Sequence, residues 1–295
     1  MTGYVGMLRT NFLAAAATVL MSALPVLAAS EGNPSAQRIV SIGGTITEVL
    51  YALGAQDRVI AVDSTSTYPS EAMSKPDIGY MRALSAEGIL AQQPDLVLAE
   101  EGSGPPPVIE ILNASKIPMV TVPTPPEGIA IGQKIRDIGK AVGLDSEAEA
   151  LAAKTESQLA ALAEDVAKIA EPRKRVLFVL SLANGRVMAG GAGTEAAAII
   201  EMAGGINAAS GISGYKPLSD EAVIAAKPDV VLTMIRGNHE LKPEDVFTLP
   251  ALQTSPAAQA KALVSLDGLL LLGFGPRTSE AARTVMKELY PAGTN

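Results

Sequence analysis

An internal repeat constrains the fold of this chain more than any other feature. The segment SAEGILAQQPDLVL (85–98) aligns without gaps with SDEAVIAAKPDVVL (219–232), and seven of 14 positions are identical. A Gly-Tyr pair and a short loop precede each copy, as GYMRAL and as GYKPL. Farther upstream, GTITEVLYALGA resembles GTEAAAIIEMAGG. One supersecondary unit is therefore used twice. This predicts two similar lobes with a cleft between them, where ligand sites preferentially occur.

Short runs of Val, Ile and Leu alternate with helical patterns in both halves. The runs are RIVSI (38–42), RVIAV (58–62), DLVLA (95–99) and PMVTV (118–122), then RVLFVL (175–180), DVVLT (229–233) and ALVSL (262–266). Strands that are apolar along their length and alternate with helices indicate parallel sheets with helices on their faces. We therefore predict an α/β fold with two lobes, each with a mostly parallel sheet flanked by helices.

A long helical segment separates the two series of strands. It begins at Asp145, is rich in Ala, Glu, Leu and Lys, and contains no Pro before Pro172. Its length favours a connector helix between two lobes; the alternative is one more packing helix of a single sheet. We expect an N-terminal lobe at residues 38–144, the connector helix at 145–171 and a C-terminal lobe at 172–295.

The first residues have the layout of a secretory signal peptide. MTGYVGMLRTNF carries one Arg and no acidic residue, and it leads into an apolar run that Pro25 interrupts. The small residue Ala28 ends a cleavage pattern, so we expect a signal peptide at residues 1–28 and a periplasmic mature protein. An uncleaved membrane anchor is the alternative, which the short run disfavours. The sequence has no Cys to carry a lipid anchor, so we expect a free protein.

Composition argues against several classes of function. The net charge is -8 and the 23 basic residues are scattered, which argues against a nucleic-acid partner. The single histidine, His239, excludes a zinc site with several His ligands. No Gly-x-Ser-x-Gly elbow is present, and GGAGTEA lacks the Lys of a phosphate loop and the third Gly of a dinucleotide site. We therefore expect a binding protein and not an enzyme.

Tyr80 is the leading candidate for a ligand contact. Each half places a tyrosine directly after Gly at an equivalent position, Tyr80 and Tyr215, although the chain has only six tyrosines. Arg82 is expected to bring its guanidinium near the Tyr80 oxygen, which lowers a phenol's pKa from about 10 and favours phenolate. Phenolate suits ferric iron, and tyrosine is an established axial haem ligand. Haem also has carboxylates that call for Arg or Lys, which Lys216 and Arg236 are placed to supply. For either tyrosine, a structural role is the alternative.

The mature chain resembles the periplasmic haem-binding proteins of ABC haem importers, within the group that includes cobalamin and ferric siderophore carriers. The motifs are RIVSIGGTITEVLYALG, DIGYMRALSAEGIL, PDLVLAEEGSGPP, GYKPLS and LLLLGFGPRT. The first is shared by the whole group, whereas GYMRALSAEGIL with GPP is more specific to the haem branch. The resemblance implies a haem-iron ligand at Tyr80, an Arg82 that supports it, and Arg236 as a further contact.

The sequence also departs from part of this family. Some members add a histidine from the second lobe and hold a second haem. The corresponding segment, SLANGRVMAGGAGT, has no histidine, and His239 lies beyond the following strand. We therefore expect one haem, five-coordinate through Tyr80. Tyr215 is either a contact on the opposite face of the haem or a packing residue.

Glu87 and Glu221 occupy the same position in the two repeats. An acidic residue in the first turn of a helix complements the helix dipole, and this alone explains either one. The resemblance implies instead that one glutamate per lobe docks into the permease dimer of an importer. Charge pairs at such an interface mainly set orientation and encounter rate.

These observations predict a monomeric periplasmic substrate-binding protein. It captures ferric haem in the cleft between the lobes and delivers it to an inner-membrane ABC permease dimer with its ATPase. One alternative is a carrier of a ferric siderophore or cobalamin on the same fold. An alternative of another class is a periplasmic haem-processing enzyme.

Overall fold

The computed structural model describes residues 1–2, 32–170, 172–183 and 185–291. The predicted signal peptide at residues 1–28 lies outside these ranges, apart from its first two residues. In the first half, the helices and strands are β1 (Ile39–Ile42), α1 (Gly44–Ala52), β2 (Val59–Val62), α2 (Ala86–Leu90), β3 (Leu96–Glu100), α3 (Pro106–Ala114), β4 (Met119–Val122) and α4 (Ala130–Val142). Within the described ranges, no helix combines the length and the apolar character of a membrane span.

The second half begins with a long helix, and six strands follow among its described residues. Its elements are α5 (Asp145–Ala167), β5 (Arg175–Ala183), β6 (Arg186–Gly190), α6 (Glu195–Met202), β7 (Ile206–Asn207), β8 (Tyr215–Pro217), α7 (Asp220–Ala226), β9 (Val230–Ile235), α8 (Pro243–Phe247), α9 (Pro256–Ala260), β10 (Leu263–Asp267), α10 (Gly268–Leu272) and α11 (Thr278–Leu289).

The first sheet is fully parallel, in the order β2-β1-β3-β4. Successive residues of its central strands face opposite sides, as the pleat requires. Ile39 and Leu96 belong to the apolar cluster that includes α1 and α4. Val40 and Val97 belong to the cluster that includes α2 and α3. Both faces of this sheet are therefore buried, which explains why its strands are apolar along their whole length.

The second sheet is mixed, in the order β10-β9-β5-β6-β8, with β7 beside β5. Strands β10, β9, β5 and β7 run parallel, whereas β6 pairs antiparallel with both β5 and β8. The prediction of a loop at GYKPL was wrong, because Tyr215–Pro217 is strand β8 and pairs with β6. A three-residue edge strand that ends in Pro has no alternation long enough to be recognised in a sequence.

The two halves share one apolar core. Helix α5 extends over 23 residues and ends at Ala167, before the predicted boundary at residue 171. It packs on α4 from the first half and on α6 and α11 from the second. One continuous buried cluster contains Leu98 from the first sheet, Phe178 from the second, and Val285 from α11. The two sheets are therefore held in a fixed arrangement by shared packing as well as by the chain connection.

Candidate ligand-binding cleft

A cleft of about 880 Å³ lies between the two halves. Its polar lining comes from both halves and includes Tyr80, Arg82, Glu100, Glu101 and Lys134 from the first and Glu195, Tyr215, Arg236, His239, Glu240 and Asp245 from the second. Apolar side chains complete it, among them Leu180, Met234, Leu272 and Phe274. Arg82, Arg236 and His239 are exposed, and we call them the mouth. Glu100, Lys134, Glu195 and Tyr215 are buried or half-buried, and we call them the floor.

The backbone around Tyr80 is held on both sides. Gly79 has a φ of +91°, a left-handed conformation that glycine adopts without strain, and its N–H donates to Asp77 Oδ1 at 2.8 Å. The Tyr80 carbonyl accepts from the Ala83 N–H at 2.7 Å. Met81, the next residue, is buried in the apolar cluster of the first half. These contacts direct the half-buried ring of Tyr80 into the cleft, and they explain why Gly precedes it.

The same local structure recurs in the second half. Gly214 also has a positive φ, +73°, directly before Tyr215. The side chain of Tyr215, unlike that of Tyr80, is engaged within its own half. Its hydroxyl donates to Glu195 Oε2 at 2.9 Å, and its ring packs edge-to-face on Phe178 with 6.3 Å between the ring centres. Burial, and then the Glu195 carboxylate, raise the pKa of the Tyr215 phenol far above its usual range. Tyr215 is therefore a neutral hydrogen-bond donor in the cleft wall, which makes it a poor anionic ligand.

Arg236 reaches across the cleft to Tyr80. Its guanidinium carbon lies 5.2 Å from the centre of the Tyr80 ring, a cation–π contact between the two halves. A tight turn after β9 presents it, since the backbone groups of Arg236 and His239 exchange two hydrogen bonds of 2.9 and 3.0 Å. The same turn brings His239, the chain's single histidine, to the mouth. The sequence predicted only that His239 lies beyond a strand, so its place at the mouth was not expected.

Arg82 and Arg236 are the two guanidinium groups at the mouth. Neither forms an ion pair with any residue that the structure describes. Arg82 lies at the mouth on the side of the first half. Lys216, which was expected beside them, is exposed on β8 and is not among the residues lining the cleft. The mouth therefore offers two guanidinium groups to a ligand, one from each half.

Lys134 brings a positive charge to the floor. It is 3% exposed, and its Nζ donates to the carbonyl of Phe274 at 3.2 Å. Burial lowers its pKa, while the carboxylates of Glu100, Glu195 and Glu48 act in the opposite direction. Lys134 was not among the residues predicted from the sequence, although its position gives a signal. It lies three residues after Ile131, on the buried stripe of α4 where a charge is unusual.

Glu100 ends strand β3 beneath the first turn of α1. Its Oε1 accepts from the Thr45 N–H at 3.2 Å. Gly43, with a φ of +110°, lies so close that a Cβ there would overlap the Glu100 side chain. Burial raises the pKa of Glu100, and Lys134 partly offsets this. The glycine of this turn therefore leaves the space that the Glu100 carboxylate fills.

A loop of the second half, Gly273 to Arg277, is attached to the first half; we call it the strap. The Thr45 hydroxyl donates to the Gly273 carbonyl at 2.6 Å. Arg277 donates to both carboxylate oxygens of Glu48, at 3.1 and 2.9 Å. Its guanidinium also stacks 3.5 Å from the centre of the Tyr68 ring. With the Lys134 contact to Phe274, these bonds connect the two halves.

Glu87 and Glu221 lie in equivalent surroundings. Ser85 caps α2 by accepting from the Gly88 N–H at 3.2 Å, and Ser219 caps α7 by accepting from the Ala222 N–H at 3.2 Å. Both glutamates are exposed in the first turn of their helices. Hydrogen bonds from its own backbone N–H and from the Ser219 hydroxyl lower the pKa of Glu221. The repeat in the sequence is therefore a repeat of local structure.

Two α/β halves that face each other across a cleft lined by charged and apolar residues define a two-lobe substrate-binding protein. The chain belongs to the periplasmic binding protein family, whose model matches residues 39–269. It is a periplasmic substrate-binding protein of the ABC-importer type. The predicted fold class and the predicted relationship to this family are both confirmed.

Solved structures and characterised proteins of this family differ in their cargo. The chain is similar to the periplasmic heme-binding protein RhuT of Roseiflexus sp. RS-1 in apo form, with a TM-score of 0.82 and 39% identity over 87% of this chain and 98% of the other. It is also similar to the periplasmic heme-binding protein BhuT in complex with two hemes, with a TM-score of 0.81 and 36% identity over 86% and 98%. A vitamin B12-binding protein of Vibrio campbellii is 30% identical over 72% of this chain and 76% of its own length.

Proposed function

We propose that this protein carries ferric haem, bound in the cleft through the phenol oxygen of Tyr80. The observation that carries the proposal is the arrangement of Tyr80, Arg82 and Arg236. Tyr80, whose backbone is fixed by hydrogen bonds, faces a cleft between two lobes, together with two guanidinium groups that form no ion pair with a described residue. The similarity to heme-binding RhuT and BhuT supports the same cargo.

The chemistry of these residues suits haem as a cargo. Phenolate is a hard anionic donor for ferric iron, and nearby positive charge favours the phenolate over the phenol. Arg236, in contact with the Tyr80 ring, supplies such a charge from the opposite lobe. Guanidinium groups also bind carboxylates in a bidentate manner, which provides for the propionates of haem. Arg82 and Arg236 therefore act on both the iron ligand and the anionic edge of the cargo.

Cobalamin is the second candidate, because a vitamin B12-binding protein is among the relatives of this chain. Cobalamin makes no use of a phenolate donor or of guanidinium groups that bind carboxylates. A cobalamin carrier would therefore tolerate the loss of the Tyr80 oxygen. This difference separates the two candidates in one experiment.

The test is a titration of the purified protein with hemin and, separately, with cyanocobalamin, followed by visible absorption. We expect saturable hemin binding with a ferric phenolate spectrum. Tyr80→Phe keeps the ring, but it should lack that spectrum and bind hemin at least about tenfold more weakly. Tyr68→Phe, which removes a hydroxyl outside the cleft, serves as the matched control and changes neither. Specific binding of cyanocobalamin without binding of hemin would refute haem carriage.

We propose a stoichiometry of one haem, five-coordinate through Tyr80. The Tyr215 hydroxyl is already engaged by Glu195, which leaves Tyr80 as the cleft tyrosine whose oxygen is available to iron. The same titration gives the number of haems bound. An endpoint of two hemins for each protein, as in the BhuT complex, would contradict the stoichiometry and leave haem carriage intact.

We propose that Glu87 and Glu221 dock the loaded protein onto an ABC permease dimer with its ATPase. Each lobe presents one exposed glutamate in the first turn of a capped helix, and the surroundings match in the two lobes. A pair of equivalent charges fits a partner that itself has two equivalent halves. We further propose that the protein acts as a monomer in the periplasm, after removal of the signal peptide near Ala28.

A further inference from the structure

The floor of the cleft assigns an orientation to the cargo, and this inference rests on the proposed function. We propose that Glu195 and Glu100 exclude carboxylates from the floor, so that haem enters with its propionates at the mouth. The protein would then select iron porphyrins whose carboxylates lie along one edge. Glu195 and Glu100 would determine specificity without touching the iron.

Among the described residues of the floor, no positive charge is available for an anion. Its basic group is the ammonium of Lys134, which is 3% exposed and donates to the Phe274 carbonyl. Two carboxylates, Glu100 and Glu195, share the floor with it. With both ionised the floor has a net charge of -1, and with Glu100 protonated it is neutral. A carboxylate placed there would find the ammonium already compensated in either state, and it would lose its own hydration.

Both floor carboxylates are fixed in place. Glu195 begins α6 directly after the capping residue Thr194, and it accepts a hydrogen bond from the Tyr215 hydroxyl at 2.9 Å. Glu100 accepts from the Thr45 N–H and fills the space beside Gly43. Neither side chain turns away from an incoming anion without losing these contacts. The repulsion is therefore built into the lobes and is not relieved by a rotamer change.

The mouth has the opposite character around Tyr80. Arg82 and Arg236 are exposed and form no ion pair within the described part of the chain. Carboxylates at this level meet guanidinium groups that form no ion pair with a described residue, although the exposed carboxylates of Glu101, Glu240 and Asp245 also line the cleft, and they stay hydrated. Below them, Leu180, Leu272 and Phe274 offer apolar contact to the methyl and vinyl groups of a porphyrin. The exposed guanidinium groups at the mouth and the apolar residues below them thus favour one insertion: carboxylate edge outward, hydrocarbon edge inward.

Two iron porphyrins separate this inference from simple haem binding. The two propionates of haem lie next to each other on one edge of the ring. Coproporphyrin III has four propionates, one on each pyrrole, so every insertion directs a carboxylate toward the floor. A cleft whose floor excludes carboxylates binds iron coproporphyrin III less well than hemin. A cleft whose floor does not repel carboxylates binds the two porphyrins with equal affinity.

The experiment is to measure the dissociation constants of hemin and of ferric coproporphyrin III by absorption titration. For the wild type we expect hemin to be preferred by at least about tenfold, from charge repulsion at short range in a partly buried site. Glu195→Gln, which retains an acceptor for Tyr215, is expected to reduce this preference at least about threefold. Glu100→Gln is a second, independent variant with the same expectation. Glu164→Gln, at an exposed position of α5 outside the cleft, removes an equal charge and leaves the preference unchanged.

Each outcome decides between the two proposals. Equal affinity of the wild type for both porphyrins overturns the inference and leaves haem carriage standing. A preference that persists undiminished in Glu195→Gln and in Glu100→Gln, with hemin still bound, overturns the role of these carboxylates. If Glu195→Gln fails to fold, Glu100→Gln gives the decision alone. A wild type that binds neither porphyrin refutes the proposed function itself.

Discussion

Replacing Arg277 with Met would remove the strongest polar contact between the strap and the first half. Glu48, its partner, is 5% exposed and accepts two hydrogen bonds from Arg277. No other side chain that the structure describes forms an ion pair with Glu48. The variant therefore leaves a buried carboxylate without its partner, and it also removes the guanidinium from the Tyr68 ring. Folding stability is expected to decrease.

The size of this loss follows from the burial of the pair. Removing one partner of a buried ion pair costs about 3–5 kcal/mol. The Arg277 side chain is 21% exposed, so the lower end applies, and we expect a loss of about 3 kcal/mol including the Tyr68 contact. At about 2–4 °C per kcal/mol for a chain of this size, the melting temperature falls by about 6–12 °C.

The assay is thermal unfolding of the ligand-free protein, followed by circular dichroism. Glu48→Gln combined with Arg277→Met should be less destabilised than Arg277→Met alone, because a neutral amide replaces the unpaired carboxylate. Arg136→Met is the matched control. It also breaks bonds to carboxylates, but those of Glu149 and Glu156 are exposed and screened, so the shift is smaller. Two results would refute the reasoning. One is a decrease in melting temperature for Arg277→Met no larger than for Arg136→Met. The other is a double variant whose effect equals the sum of the effects of Glu48→Gln and Arg277→Met measured singly.

Two further predictions concern the docking glutamates and Tyr215. The double variant Glu87→Lys, Glu221→Lys is expected to abolish stimulation of the partner ATPase, because charge pairs mainly govern encounter and orientation. Its affinity for hemin should stay within about twofold of the wild type. Glu164→Lys, on α5, should change neither, and full stimulation by the double variant would contradict docking. For Tyr215, burial and Glu195 raise the pKa of the phenol in the folded state. The protonated phenol, hydrogen-bonded to Glu195, therefore contributes fully to folding stability below a pH of about 10, and this contribution is lost as the pH rises further. Denaturant unfolding at neutral pH and at a pH above about 10 should show a smaller loss of folding stability in Tyr215→Phe than in the wild type. An identical loss in the two proteins would contradict this.

The strands that form the centres of both sheets were predictable from the sequence. Runs such as 95–99 and 229–233 are apolar because helices cover both faces of the sheet, and the structure places strands at Leu96–Glu100 and Val230–Ile235. The antiparallel edge was not predictable. Strand β8 has three residues, one of them Pro, and only its pairing with β6 in the folded chain defines it.

The cleft was predictable in part. The repeated Gly-Tyr pairs pointed to Tyr80 and Tyr215, and both line the cleft. Sequence equivalence did not reveal that Tyr215 is bonded to Glu195, because that contact depends on how β8 lies against the start of α6. Arg236 was expected near the carboxylates of a ligand, and the structure places it over the Tyr80 ring. Contacts between residues so distant in sequence depend on the relative position of the lobes, which local patterns do not encode.

The strap has a consequence for the cooperativity of the molecule. Its bonds to Thr45, Lys134 and Glu48 are made to the first half by a loop that belongs to the second. The largest apolar cluster also contains residues from both sheets. Melting either half therefore exposes apolar surface of the other and leaves its buried charges without partners. In calorimetric terms the two lobes form a single unfolding unit, and neither half alone retains the full set of contacts that stabilises it.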